Sequence, residues 1–523
     1  METQSLLPVL VWVVPTAFGL LTLAVGRWRR EFQGWLAFLG LAVTVVISGW
    51  IAQWVLAGWV LTAWNHSLRV DGLSALMEVL ASLIGILIVI YSLRYVPSRL
   101  DLEEARRLGP PMPRDARLSS YYGLLLLFLG MMNWTCATNS LVWLYVSLEL
   151  TTLATALLVI FYWNRESLEA GYKYLLLVTV GVLFALMGLG LIYAAAVRLP
   201  GNEGSGALLI TEIGRLARQM PKPVVLLANA FLVVGFGTKA GLAPFHAWLP
   251  DAHAEAPEPI SALLSGIVIK VGAYALARTI TLFAPQPQYD AVVVFVAIMA
   301  SASMVIGILM ALVQDDLKRM LAYSSVSQIG YVIEGLGLGT YLGIYGGLFH
   351  LLNHSLIKAL LFLAAGAIVY VTGTRRISEL GGLRQRAPIT AFCFLVGALA
   401  IGGLPPFNAF MSKFTLFLAA AQKGLLWAAI IAVFTGLLTV ACFVRAAYLI
   451  CWGSRRGEGL AQGPAPTAAP APVPGSEQEV PVSIWIGMAA LVVLILALGL
   501  FPNLAYPLLD RATDCIRALL PGS

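Results

Sequence analysis

Apolar runs of about 20 residues recur along almost the whole of this 523-residue sequence. Residues 175–197, LLLVTVGVLFALMGLGLIYAAAV, contain no charged side chain at all. That length lets a helix cross the hydrocarbon core of a bilayer. In lipid each backbone polar group must be satisfied within the protein, which leaves helices or a closed barrel. A barrel strand would alternate polar and apolar residues, and these runs do not. Charged residues make up 11% of the chain and hydrophobic ones 59%, against about 25% charged in ordinary soluble domains. The fold class is therefore an all-α polytopic membrane protein.

Run length predicts about fourteen transmembrane helices, over 5–25, 34–60, 72–95, 119–135, 139–162, 170–197, 223–250, 259–280, 290–313, 320–337, 341–371, 387–421, 424–452 and 482–509. No basic region precedes the first run, so it reads as a retained helix and not as a cleaved signal. Residues 463–480, GPAPTAAPAPVPGSEQEV, read as an extended or disordered linker that tethers the last helix. Arginine and lysine concentrate in the odd-numbered loops and their edges, including Arg27, Arg29, Arg30, Arg106, Arg107, Arg375, Arg376, Arg455 and Arg456. The positive-inside rule then places those loops in the cytoplasm and both termini outside. The net charge of +7 belongs to these loops and calls for no nucleic acid. The five cysteines, Cys136, Cys393, Cys442, Cys451 and Cys515, are scattered singly, a pattern that argues against an iron–sulfur cluster or a structural zinc.

Two octapeptides interrupt the helical pattern. GLAPFHAW, Gly241–Trp248, and GLPPFNAF, Gly403–Phe410, share G-L-x-P-F-x-A-aromatic and stand about 160 residues apart. Five predicted helices separate them, and an odd number inverts the second copy relative to the first. Inverted repeats with helices broken at corresponding places mark an ion or substrate site near the bilayer midplane. Each break frees backbone groups that protein or water must satisfy, which implies a polar, hydrated cavity. Lys239 precedes the first break and Lys413 follows the second.

Charges at bilayer depth are costly and rarely incidental. The candidates are Glu149, Lys239, Lys270, His350, His354, Lys358 and Lys413. His350, His354 and Lys358 fall at i, i+4 and i+8, on one helix face. A proton or water relay is the leading reading of that face; a metal site and simple structural hydrogen bonding are the alternatives. For Glu149 the alternative is a structural ion pair. Asp251, His253, Glu255 and Glu258 stand at a helix end, where they line a channel mouth or a neighbour contact.

The segments GFGTKAGLAPFHAWLPDAHAEAPEPISALLSG, QDDLKRMLAYSSVSQIGY and LFHLLNHSLIKALLFLAAG resemble the antiporter-like proton-translocating subunits of respiratory complex I. That family includes Mrp-type cation antiporters and the membrane arms of energy-converting NiFe hydrogenases. The resemblance covers roughly residues 70–450. DGLSALM, SSYYGLLLLF and SLEAGYKYLLLVTVG look most like the hydrogenase-4 and formate hydrogenlyase type. By this resemblance Glu149 matches the family's fifth-helix glutamate, Lys239 and Lys270 its seventh- and eighth-helix lysines, His350, His354 and Lys358 its eleventh-helix groups, and Lys413 its twelfth-helix ionisable residue.

The resemblance also implies a division into residues 1–118 (helices 1–3), 119–280 and 290–452 (two inverted five-helix repeats), 453–481 (linker) and 482–523 (the last helix and tail). The long lateral helix of one complex I subunit is expected to be missing, because no amphipathic segment is read after residue 509. The function implied is proton, or alternatively sodium, translocation within a redox-driven complex. The chain would hold no cofactor and no metal, and its partners would be other membrane subunits, the bilayer and the ion. The alternatives are an Mrp-type antiporter subunit and a proton-coupled partner in inorganic carbon uptake. The expected location is the bacterial or archaeal cytoplasmic membrane.

Overall fold

Each apolar run closes its own backbone hydrogen bonds as a helix. The computed structural model describes residues 1–25, 32–105, 113–199, 208–284, 289–453 and 479–517. The expected linker, apart from Glu479 and Val480, lies outside the described residues, as do Arg27, Arg29, Arg30, Arg106, Arg107, Arg455 and Arg456. The first half contains α1 (Leu7–Val25), α2 (Gln33–Leu56), α3 (Gly72–Ala105), α4 (Arg114–Ala137), α5 (Leu141–Val159), α6 (Arg165–Val197), α7 (Ile210–Leu216), α8 (Lys222–Ala240), α9 (Trp248–Glu255), α10 (Glu258–Leu263) and α11 (Ile269–Ile280). The second half contains α12 (Tyr289–Leu312), α13 (Leu317–Gly337), α14 (Tyr341–Thr372), α15 (Leu383–Arg386), α16 (Pro388–Gly402), α17 (Asn408–Gln422), α18 (Leu426–Trp452), α19 (Val482–Leu500) and α20 (Tyr506–Arg517).

Eleven helical spans among the described residues are long and apolar enough to cross a membrane, fewer than the expected fourteen. Helices α4 and α13 are long but more polar. The expected twelfth helix is divided into α16 and α17, each too short alone. The expected seventh is likewise divided, into α8 and α9.

Two further expectations are corrected. The second helix stops at Leu56 and not at residue 60, because Gly58 takes φ +92°. The chain then enters a three-stranded sheet of β1 (Glu2–Gln4), β2 (Val60–Ala63) and β3 (Leu68–Val70). Strand β2 pairs in parallel with β1 and antiparallel with β3. Residues beyond 509 do form an amphipathic helix. In α20, Leu509, Ala512, Thr513 and Ile516 are buried at i, i+3, i+4 and i+7 spacing, while Arg511 and Asp514 are exposed. The buried side packs on α3 and α14, so α20 is a short strut of 12 residues.

Helix α14 is the hub, with α10, α13, α16, α17 and α19 packed around it. That position buries its polar face, and His350, His354 and Lys358 are all 0% exposed.

Candidate ion pathway

Both helix breaks fall where the octapeptides lie. Gly241, with φ +76°, caps the end of α8, and Gly403, with φ +81°, caps the end of α16. Both are left-handed conformations that glycine adopts without penalty. The freed backbone groups find protein partners. The Trp248 indole Nε1 donates to the Thr238 carbonyl at 2.9 Å, and the Ala243 amide donates to Ser303 Oγ at 2.7 Å. At the second break the backbone carbonyl of Asn408 accepts from Asn353 Nδ2, and Asn408 Nδ2 donates to Asn353 Oδ1, both at 2.9 Å. The Lys413 ammonium donates to the carbonyls of Ile401 at 2.8 Å and Gly402 at 3.3 Å. The carbonyls expected to bind water are thus, at this break, bound by the lysine itself.

At the first break the lysine turns the other way. Lys239, in the last turn of α8, sends its ammonium towards α5 and α6, where it donates to Thr152 Oγ1 at 2.8 Å and to the Tyr174 hydroxyl at 3.2 Å. Glu149, one turn before Thr152 on α5, acts on Lys239 through its charge and bonds Thr179. Its Oε1 has no protein partner. The carboxylate and ammonium therefore face each other across a hydroxyl-lined gap and are not in direct contact.

Between the two breaks runs a row of buried groups. A π-helical turn over Leu264–Val268 leads into α11. Such turns displace backbone bonds and occur often at functional sites. Here the Ser265 carbonyl accepts from the Lys270 ammonium. Lys358 donates to the Leu321 carbonyl at 2.8 Å and to Ser324 Oγ, and its ammonium stands over the Phe443 ring, 5.5 Å from the centroid. Lys270 and Lys358 are near enough to repel when both carry a proton. His354 lies within the fields of Lys270, Lys358, His350 and Lys413, and among the described residues neither of its ring nitrogens has a hydrogen-bond partner. The His350 ring is parallel to it, with centroids 6.1 Å apart. His350 is held by Ser412 Oγ at 3.0 Å on Nδ1 and by Gln328 Oε1 at 3.2 Å on Nε2. The Lys413 ammonium, 5.3 Å from the Tyr331 ring centroid, ends the row.

Among the described residues, Lys270, Lys358 and Lys413 make no ion pair with a carboxylate. Their bonds go to carbonyls and hydroxyls, which can accept from a neutral amine as well as, more strongly, from a charged one. A permanent charge at this depth costs several kcal/mol, whereas a proton shared along similar sites pays that cost at only one of them at a time. A second proton entering the row would repel the first and drive it onward. The arrangement suits transfer better than storage.

All seven residues expected from the sequence belong to this row or flank it. The 251–258 segment divides. Asp251 joins α6 to α13 by binding Lys173 at 3.3 Å and Arg319 at 2.9 Å, and Glu255 binds Arg375 at 3.4 Å. Both border surface clefts. Glu258 is buried and accepts from the Tyr95 hydroxyl at 2.6 Å. His253 is not at a mouth. It is 0% exposed and stacked on Phe362 at 4.5 Å, within the fields of Lys318, Lys358 and Lys270. Sequence reasoning also passed over Glu78 and Glu334, which are buried acids with unpartnered oxygens. Glu78 lies in the apolar helix α3, where the same scan for charges within apolar runs could have found it, whereas Glu334 lies in the more polar α13.

Fold and site together define an all-helical membrane protein with a buried row of lysines and histidines strung between two broken helices. A family described as NADH:quinone oxidoreductase/Mrp antiporter, transmembrane, matches residues 138–439, and one described as NADH-ubiquinone oxidoreductase (complex I), chain 5 N-terminus, matches residues 59–102. The chain belongs to the NADH:quinone oxidoreductase/Mrp antiporter family. It is 34% identical over 480 residues to NADH-quinone oxidoreductase subunit N of Desulforudis audaxviator, covering 88% of this chain and 90% of that one. It is 35% identical over 390 residues to a hydrogenase-4 component F homolog of Methylacidiphilum infernorum, covering 74% and 80%. Among solved structures, a chain of the membrane-bound sulfane sulfur reductase, an archaeal respiratory membrane complex, superposes with a TM-score of 0.83 at 26% identity over 98% of each chain.

Proposed function

We propose that this chain translocates protons as a non-redox membrane subunit of a redox-driven complex, through Glu149, Lys239, Lys270, Lys358, His354, His350 and Lys413. The observation that carries this reading is the row of fully buried lysines and histidines bonded to carbonyls and hydroxyls between the two helix breaks. Residues 119–280 and 290–452 act as inverted repeats, each supplying one broken helix and one half-channel. His253 belongs to the junction between them. Both termini lie outside a bacterial or archaeal cytoplasmic membrane, with the arginine-rich odd loops inside. The other membrane subunits of the complex cover the exposed apolar helix faces.

The test is proton pumping by the purified complex in proteoliposomes, followed by a pH-sensitive dye during redox turnover. Lys270→Met and Lys358→Met are expected to abolish pumping while the complex still assembles. Pumping at the normal rate in both variants would overturn the reading. A second reading, an Mrp-type cation/proton antiporter subunit, is favoured by the breadth of the matching family. It requires sodium movement driven by a proton gradient with no electron donor present.

A further inference from the structure

Helix α3 carries a buried carboxylate that the pathway above does not use. Glu78 is 0% exposed, and among the described residues neither of its carboxylate oxygens has a hydrogen-bond partner. Ser74, Glu78 and Ser82 fall at i, i+4 and i+8, on one face of the helix. All three are buried, and Ser82 Oγ is also unpartnered. Ser74 turns this face towards α11, with its hydroxyl 3.4 Å from that of Tyr274. Tyr274 is one helical turn beyond Lys270. Its hydroxyl donates to the Cys136 carbonyl at 2.7 Å and accepts from Arg278 Nε at 2.9 Å.

At the start of α3, Asp71 is bound by Arg278, with Nη1 2.7 Å from Oδ2. Asp71 and Arg69 border a cleft of about 250 Å³, completed by Gly72, Arg511, Asp514 and Cys515. The titratable groups acting on Glu78 are Asp71 and Arg278, with Cys136 of α4 beside it. An ionised carboxylate with no bonded partner is costly at this depth, and binding a proton removes the cost.

We propose that Glu78 is a proton-carrying site that joins the Asp71–Arg278 pair and its surface cleft to the interior at the level of Lys270. It gives the central lysines a side branch, separate from the two helix breaks. The Ser74, Tyr274 and Ser82 hydroxyls provide intermediate donors and acceptors. This branch rests on the proton-carrying reading of Lys270.

The test uses the complete complex with Glu78→Gln, Glu78→Asp or Lys270→Met, measuring pumping in proteoliposomes and infrared difference spectra during turnover. Glu78→Gln is expected to lose the carbonyl-stretch band of a carboxylic acid that changes with turnover, and to pump severalfold more slowly. Glu78→Asp is expected to shift that band and restore part of the rate. Unchanged spectra and pumping in Glu78→Gln, alongside a Lys270→Met variant that cannot pump, would overturn the branch and leave the main pathway standing. Normal pumping in Lys270→Met would overturn the pathway itself. If Glu78→Gln does not assemble, the Glu78→Asp spectrum decides, because an unshifted band overturns the branch. A band that responds to sodium and not to pH would overturn the proton assignment.

Discussion

The ammonium of Lys413 lies 2.8 Å from the carbonyl oxygen of Ile401, on the far side of the helix break that separates them. The break and the lysine are one device, since the carbonyl is free only because the helix stops at Gly402. The same break holds Gly403 in a left-handed conformation, where an added Cβ would come within 3.0 Å of Lys413 Cδ. Gly403→Ala should therefore cost about 1–2 kcal/mol of local stability and also displace the ammonium. Gly241→Ala imposes the same backbone strain, but its Cβ would meet only Leu249, at 3.4 Å. Pumping per assembled complex should fall in Gly403→Ala and persist in Gly241→Ala. Equal pumping in the two would refute the coupling.

Glu149 and Lys239 act across a gap lined by hydroxyl groups. Glu149→Ala or Lys239→Ala should lower pumping at least about tenfold, a change of roughly 1.4 kcal/mol in barrier, with subunit composition unchanged. Thr152→Val removes one hydroxyl of Lys239's first shell of acceptors and should have a smaller effect. Proton flux in proteoliposomes, normalised to complex content, checks all three.

The His350 ring is fixed at both nitrogens, whereas the His354 ring is fixed at neither. Imidazole is the side chain that ordinarily exchanges protons near neutral pH. His354→Gln should slow transfer and change the shape of its pH profile, while Gln328→Leu should act on rate by loosening His350. Zinc analysis of the purified complex provides the opposing outcome: stoichiometric metal lost on His354→Gln would favour a metal site.

Asp71 makes stability depend on pH. Burial pushes its carboxyl up, but the charge and hydrogen bonds of Arg278, helped by Arg69, outweigh this and hold it at about 2 instead of 3.8. A carboxyl with a lowered folded-state pKa contributes stability above its unfolded value. That contribution is lost as pH falls from about 4 towards 2. The shift corresponds to about 2–3 kcal/mol. Asp71→Asn should therefore lower thermal stability at pH 7, and its difference from wild type should shrink as pH falls below about 4. A difference that stays constant with pH would exclude this origin.

The helix breaks were legible because Gly and Pro in an otherwise apolar run leave few backbone options, and because the octapeptide occurs twice. The lysines and histidines were legible because charge in such a run is conspicuous. His253 was misplaced at a mouth because it sits among Asp251, Glu255 and Glu258, whose charges suggest a surface. In the fold, α9 turns Asp251 and Glu255 towards Lys173, Arg319 and Arg375 and the imidazole inwards onto Phe362. The helix over Tyr506–Arg517 was missed because a 12-residue amphipathic segment is too short and too charged to register as a span.

The sequence by itself determined that the chain crosses a membrane many times as helices, since lipid offers the backbone no other partner. It also determined where two helices break and marked Lys239, Lys270, His350, His354, Lys358 and Lys413 as buried, though not Glu78, Glu334 or His253. Tertiary structure alone decided which groups meet. Lys413 reaches back to its own break while Lys239 turns away from its break towards Thr152 and Tyr174. Lys358 reaches α13, and Glu78 is left without a bonded partner. Spacing along one helix determines a shared face, but a hydrogen-bond partner comes from whichever helix packs against that face. That choice is made by the packing of the whole bundle around α14.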